Sequence, residues 1–167
     1  IDKFSLRYDL RRPCMLCPTL PCIFTSLVRD LRVLTGTDPH LTGLMKDFEN
    51  ALRDLRIESS DDRVRHCIQR EVTLLEALGQ NYPGVSQVTL GAICGEIQTW
   101  PHEKLLEAIK CVYKFTNNYP GIRHAGDPAS ALRTLDMRDL IAVSILLAGF
   151  TPYLSNGLSA DQVYRGA

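Results

Sequence analysis

The chain has 167 residues, with 19 basic and 19 acidic side chains and no formal net charge. This length suits one compact domain that buries roughly two-thirds of the surface exposed by its unfolded chain. The charge balance excludes nucleic-acid binding through a global basic field, so any such binding has to depend on a local patch.

The cysteine pattern and the apolar runs bear on where the protein works. Six cysteines are unevenly spaced, and a chain with an ordinary apolar core needs no disulfides, so we expect reduced thiols. No signal-peptide pattern opens the sequence, and the longest apolar run, Leu140 to Phe150, has about half the length that crosses a bilayer. We therefore expect a cytoplasmic protein without a membrane partner. Because the first residue is Ile1, we also expect a piece of a longer chain.

The first part of the chain is predicted to be an arm followed by two helices. Residues 1–21 should be irregular, because prolines interrupt any long helix there: Pro13, Pro18 and Pro21. Apolar residues at helical spacing then predict a first helix that stops at Gly36. Asp38-Pro39 opens a second, amphipathic helix on the surface.

Two further helices are predicted in the middle of the chain. Acidic and cap-forming residues at Ser60, Asp61 and Asp62 start the third helix, which ends at Gly79. Its apolar stripe consists of Val64, Ile68, Val72, Leu75 and Leu78. A fourth helix is predicted from about Val85 to Trp100, where small and apolar residues suit close packing and burial.

Two more helices are predicted in the last part of the chain. A fifth follows Pro101 and carries an apolar face from Leu105 to Tyr113. The final helix starts near Asp136 and is apolar nearly all round, as in the middle of a bundle or at a subunit interface. From Thr151 a loose tail is predicted. The sequence therefore predicts an all-α bundle of five to six helices over residues 22–155, with a flexible tail over 156–167.

The tetrapeptide Asn-Tyr-Pro-Gly occurs twice, at residues 81–84 and 118–121, and closes a predicted helix each time. It could record duplication of a helix-turn unit. The simpler interpretation is that both are good turn sequences.

The polar loop between the last two helices is the strongest candidate site. It holds Asn117, Asn118, Arg123, His124 and Asp127. Histidine can exchange a proton near neutral pH, and arginine can hold a phosphate. Such groups could cleave RNA without a metal, with the 2′-hydroxyl as nucleophile. Alternatively, Arg123 and His124 could only cap the fifth helix, because cations near a helix C-terminus are favourable.

A long helix ending in Asn117-Asn118, a turn, Arg123-His124 and an apolar last helix resembles the C-terminal part of HEPN-type and abortive-infection helical proteins. The resemblance covers Glu76 to Tyr153. In that family an arginine and a polar residue end a helix a few residues before a histidine. His124 matches the histidine and Asn118 the polar residue, whereas Asn117 stands where the family has arginine.

The resemblance implies a HEPN-like, metal-independent endoribonuclease that needs no cofactor and leaves a 2′,3′-cyclic phosphate across a homodimer. The residues implied for catalysis are His124, Arg123 and Asn118, and those implied for RNA binding are Asn117, Lys114 and Arg133. The implied role is bacterial defence or a toxin–antitoxin system, with RNA, a second copy and a partner domain or antitoxin protein as partners. The alternative is a non-catalytic dimerisation or interaction domain of a larger defence protein.

Two weaker sequence patterns could also mark binding sites, one for zinc and one for a phosphate backbone. Cys14, Cys17 and Cys22 could hold zinc with His40, His66 or Cys67, although the pattern lacks a second C-x-x-C and ordinary packing is the favoured interpretation. Basic residues in the arm and the third helix could track a phosphate backbone, but acidic neighbours favour a solvated face. They are Arg7, Arg11, Arg12, Arg63, Arg65 and Arg70, with Asp9, Asp61, Asp62 and Glu71 among them.

Overall fold

A computed structural model describes residues 8–11, 15–18 and 20–159 of the chain, with side chains described for residues 26–159. The described chain forms six α-helices, which confirms the predicted all-α bundle. The helices are α1 (Leu20–Thr35), α2 (Pro39–Asp54), α3 (Asp61–Gln80), α4 (Leu90–Glu96), α5 (Glu103–Asn118) and α6 (Met137–Leu154).

The N-terminal arm, expected to be irregular, contains a short antiparallel hairpin. Strand β1 (Tyr8–Arg11) pairs with β2 (Met15–Pro18), with Tyr8 opposite Pro18. Strands of four residues hold too few positions for an alternating apolar pattern to be recognised in sequence. Helix α1 also starts one residue before Pro21, because a proline in the first turn lacks only an N–H group that has no helical partner.

Helix α3 lies at the centre of the bundle. It packs most extensively against α2 and α6, and it also contacts α4 and α5. Its predicted apolar stripe is confirmed, since Val64, Ile68, Val72, Leu75 and Leu78 are all buried. Because α3 is enclosed by other helices, polar side chains that it carries at inward positions have to find partners inside the protein.

The predicted starts of α2 and α6 are confirmed by their caps. The Asp38 carboxylate accepts a hydrogen bond from Leu41 N at 2.9 Å. At α6, Asp136 accepts from Arg138 N at 2.8 Å, and Asp139 accepts from Asp136 N at 2.8 Å. Side-chain acceptors at these positions satisfy amides that the first helical turn leaves without partners.

Helix α4 is shorter than predicted, since it spans Leu90–Glu96 rather than about 85–100. The Glu96 carboxylate accepts hydrogen bonds from the amides of Ser86 and Gln87, at 2.7 and 3.2 Å. On the other side, Trp100 Nε1 donates to Cys94 O at 2.8 Å. These side-chain bonds hold the flanking backbone in loops, which helical spacing alone does not reveal.

Helix α6 continues through Pro152 to Leu154, so the loose tail predicted from Thr151 begins too early. Proline leaves the carbonyl four residues before it without a helical partner. Here Thr151 Oγ1 donates to that carbonyl, Ala148 O, at 2.7 Å. Beyond the helix Leu158 is still buried, and residues 160–167 lie outside the described part of the chain.

By length and composition alone, α6 could also cross a membrane, and it is the one such helix among the described residues. The core helix of a soluble protein can pass the same test. Only 33% of its residues are buried inside the bundle. The helix therefore has a large apolar surface that the described residues do not cover.

The two Asn-Tyr-Pro-Gly segments form the same turn. Val85 N donates to Tyr82 O at 3.1 Å, and Ile122 N donates to Tyr119 O at 3.4 Å. In each turn the glycine has a positive φ, +85° at Gly84 and +77° at Gly121. Proline followed by a glycine of positive φ is typical of a type II turn, which explains the repeat without a duplication.

Candidate functional site

The loop between α5 and α6, residues 119–136, folds back onto the C-terminus of α5. Asp127 N and Ser130 Oγ donate to Asn118 O at 3.0 and 3.1 Å. Gly126, with φ of +64°, lies so close that an added Cβ would be 2.6 Å from the same carbonyl oxygen. Hydrogen bonds and close backbone packing against Asn118 therefore hold the loop to the end of α5.

Arg123 points inward from this loop. Its Nη1 donates to Glu76 Oε1 and to the Tyr113 hydroxyl, each at 2.7 Å. The guanidinium carbon also lies 5.1 Å from the centre of the Tyr113 ring. The two charged side chains are only 18% and 10% exposed, so this ion pair is shielded from water. Arg123 thus joins the loop to α3 and α5.

Glu76 receives a further hydrogen bond from the start of α4. Leu90 N donates to the same oxygen, Glu76 Oε1, at 3.1 Å. The carboxylate therefore connects α3, α4 and the Arg123 loop. Glu76 was not among the predicted site residues, although an acidic residue between the apolar positions Leu75 and Leu78 was a visible signal.

His124, in contrast, is exposed. Its backbone oxygen accepts a hydrogen bond from Gly121 N at 3.0 Å, while its ring has no partner among the described residues. Asn118 and Lys114 are exposed as well, on the last turns of α5. Exposed groups near a helix end are available to a ligand or to another chain.

The other predicted RNA-binding residues differ in availability. Asn117 is half-buried, and its Oδ1 is buried without a hydrogen bond in the described part of the protein. Arg133 forms a two-bond ion pair with Asp139, at 2.6 and 2.7 Å. The structure therefore brings His124, Asn118 and Lys114 to the surface of the loop region, whereas Arg123 and Arg133 already hold carboxylates.

The predicted zinc and phosphate patterns can be followed only in part. Cys14 and the side chains of Cys17 and Cys22 lie outside the described residues, and no group of three or more potential metal ligands occurs within the described ones. The basic residues of α3 have local partners. Arg63 contacts Glu58, Arg65 contacts Asp61 and Asp62, and Arg70 contacts Asp47.

A second site, absent from the sequence prediction, lies between α1, α2, α3 and α6. It is an open groove of about 310 Å³ whose lining is almost entirely apolar. Its lining includes three polar side chains, Glu71 of α3 and Ser144 and Thr151 of α6, and Ser144 Oγ donates to Glu71 Oε2 at 2.7 Å. Side chains around it include Val28, Met45, Phe48, Ile141 and Ile145.

Glu71 was grouped with the solvated charges of α3, and that interpretation is wrong. It is only 4% exposed, and burial raises its pKa to about 7, while the Ser144 hydrogen bond acts in the opposite direction. Glu71 follows Ile68 by three residues and precedes Leu75 by four, so it shares the inward face of the helix. That spacing was the available signal.

Helix α6 presents a further surface on its outer side. Ile141, Ile145 and Leu146 are 54%, 49% and 47% exposed, and Ala142 and Gly149 of the same helix are exposed as well. We call this surface the outer face of α6. An added Cβ at Gly149 would meet no atom of the described residues within 4 Å, so no described side chain fills the space in front of the helix.

No protein family, no curated protein and no solved structure matches this chain. The resemblance to HEPN-type proteins thus stays a sequence-based expectation.

Proposed function

We propose that this chain is an interaction module that associates with a second copy of itself through the outer face of α6. The observation that carries the proposal is the exposure of large apolar residues on one helix. Four of the ten large apolar side chains described as exposed belong to α6, and they include Ile141, Ile145 and Leu146. Contiguous apolar surface of this kind is typical of protein interfaces.

The chemistry of the face favours a second copy as the partner. From Leu140 to Leu154 the helix has no charged side chain, so two identical faces can meet without like charges in contact. The chain as a whole has no net charge, so two copies do not repel at long range. Ala142 and Gly149 are two helical turns apart, and such small residues allow helices to approach closely.

The experiment compares two glycines at which an added Cβ would contact none of the described residues. Gly149 lies on the outer face of α6, and Gly43 lies on the exposed side of α2. We expect the wild type to be a dimer in sedimentation-velocity measurements. Gly149→Glu should weaken association at least tenfold by placing a charge in the interface, while Gly43→Glu should leave it unchanged.

Two results would contradict the proposal. One is a wild type that stays monomeric over the full accessible concentration range. The other is a dimer that Gly149→Glu does not weaken. Circular dichroism of both variants checks folding, because glutamate raises helix propensity relative to glycine at either position.

Ribonuclease activity is the second candidate, and the exposed ring of His124 favours it. In the reaction implied by the HEPN resemblance, the RNA 2′-hydroxyl loses a proton to His124 and its oxygen bonds to phosphorus. The bond from phosphorus to the 5′-oxygen breaks and that oxygen takes a proton from water, which leaves a 2′,3′-cyclic phosphate and a 5′-hydroxyl. Lys114 and Asn118 would contact the phosphate. Arg123 could do so only by leaving Glu76, which argues against this candidate.

Cleavage of a mixed RNA pool in EDTA tests the second candidate. If the chain is a nuclease of this kind, the wild type cleaves and His124→Ala does not. His40→Ala, at an exposed histidine near the start of α2, is the matched control and should cleave like the wild type. Absence of cleavage by dimeric wild type would leave the interaction module as the function.

A further inference from the structure

The groove between α1, α2, α3 and α6 combines an apolar wall with a single acidic group. Its described lining contains one ionisable side chain, Glu71, and one hydroxyl directed at it, Ser144. A cavity of about 310 Å³ is roughly twice the size of the apolar cavity, about 150 Å³, that holds one benzene ring. It therefore has room for a small molecule.

The two carboxylate oxygens of Glu71 differ in their hydrogen bonds. Oε2 accepts from Ser144, whereas Oε1 accepts no hydrogen bond from a described residue. Glu71 lines the groove and is 4% exposed, and Oε1 is not among the fully buried atoms that lack a partner, so a small part of this atom is accessible. A carboxylate oxygen that borders an apolar groove is a site for a hydrogen-bond donor from outside the protein.

We propose that the groove binds a small apolar molecule with one protonated amine, which donates to Glu71 Oε1 while its apolar part lies between Val28, Phe48 and Ile145. The groove and the outer face of α6 share Ile141 and Ile145, whereas Glu71 and Ser144 belong to the groove and not to the outer face.

The negative charge of the Glu71 carboxylate favours a ligand with an amine over a ligand with another head group. An ionised carboxyl in apolar surroundings is unfavourable until an opposite charge neutralises it, and a bound ammonium would do so directly. Burial already raises the pKa of Glu71 to about 7, and a neighbouring cation would lower it again. A ligand with its own carboxylate would instead face like-charge repulsion in the same apolar space.

The experiment uses three probes of one chain length: n-octylamine, n-octanol and octanoate. Each is titrated into the wild-type protein at pH 7.5 by isothermal titration calorimetry, below its micelle concentration. We expect saturable binding of one n-octylamine per chain, at least tenfold tighter than octanoate. In Glu71→Gln the preference for the amine over n-octanol should disappear, since the neutral amide keeps the shape and removes the charge.

Two further variants separate the groove from other effects. Ala148→Leu narrows the groove without touching charge and should weaken all apolar probes. Gly149→Glu should bind n-octylamine like the wild type, so a failure of self-association is distinguishable from a failure of the groove. The proposal is overturned if n-octylamine does not saturate, if octanoate binds as tightly, or if Glu71→Gln keeps the amine preference.

Discussion

Arg123 Nη1 lies 2.7 Å from Glu76 Oε1, and this ion pair fixes the conformation of the loop that precedes α6. Both side chains are mostly shielded from water, and the same carboxylate oxygen accepts the Leu90 amide. Arg123 is therefore a positioning residue of the bundle. His124, the next residue, has an exposed ring and no partner among the described side chains.

The first prediction follows from this difference between neighbours. Arg123→Ala should lower the free energy of unfolding by about 3 kcal/mol, because it leaves the Glu76 carboxylate without its cation in a shielded place. His124→Ala should change it by less than about 0.5 kcal/mol, as expected for an exposed residue. Urea denaturation followed by circular dichroism measures both. Equal effects of the two substitutions would contradict a structural role for Arg123.

A second prediction concerns Gly126, whose positive φ and contact with Asn118 O leave no room for a side chain. Gly126→Ala should destabilise the protein by about 1–3 kcal/mol, since strained backbone and a steric clash act together. Gly43→Ala, in open space on α2, should instead stabilise it by up to about 1 kcal/mol. The midpoint temperature of thermal unfolding should fall for Gly126→Ala and rise for Gly43→Ala. An unchanged midpoint for Gly126→Ala would contradict the close contact with Asn118 O.

The helical fold was predictable because periodicity and caps act locally. Asp38 and Asp136 mark the starts of α2 and α6 in the sequence as they do in the structure. Helix α4 was extended too far because the bonds from Ser86 and Gln87 to Glu96 span about ten residues. Such contacts depend on tertiary arrangement, which spacing does not encode.

The polar site was predictable only as a segment. The loop could be located from its polar residues, but its sequence does not reveal that Arg123 turns inward to Glu76, 47 residues earlier in the chain. Glu71 was wrongly assigned to the solvent-exposed face of α3 for a related reason. A charged residue is normally assigned to solvent, and only its partner Ser144, 73 residues later, explains its burial.

A third prediction tests how α6 accommodates Pro152. Thr151→Val keeps the shape of the side chain but removes the hydroxyl that donates to Ala148 O. The partly buried carbonyl would lose its partner, so the free energy of unfolding should fall by about 1–2 kcal/mol. Pro152→Ala restores a backbone N–H that can reach Ala148 O, so it should rescue most of the loss in a Thr151→Val background. Urea denaturation measures this double-mutant cycle. Additive effects of the two substitutions would show that the Thr151 hydroxyl does not compensate for the N–H that Pro152 lacks.

The last prediction concerns the pH dependence of stability, to which Glu71 should contribute most. Its pKa is raised by burial from 4.5 to about 7, so its contribution to stability is complete below about pH 4.5 and is lost as the pH rises through 7. The full loss corresponds to about 3 kcal/mol. No other ionisable side chain lines the groove in the described part of the chain, and Cys67, one turn away, stays neutral because burial raises its pKa to about 11. Glu71→Gln should therefore match the wild type near pH 4.5, exceed its stability by about 3 kcal/mol near pH 8.5, and flatten the profile between them.

Urea denaturation across this pH range measures the free energy of unfolding of both proteins. Glu107→Gln, at a partly exposed position of α5, is the control and should keep the wild-type profile. If Glu71→Gln also keeps the wild-type slope, Glu71 does not ionise at a raised pKa in the folded protein.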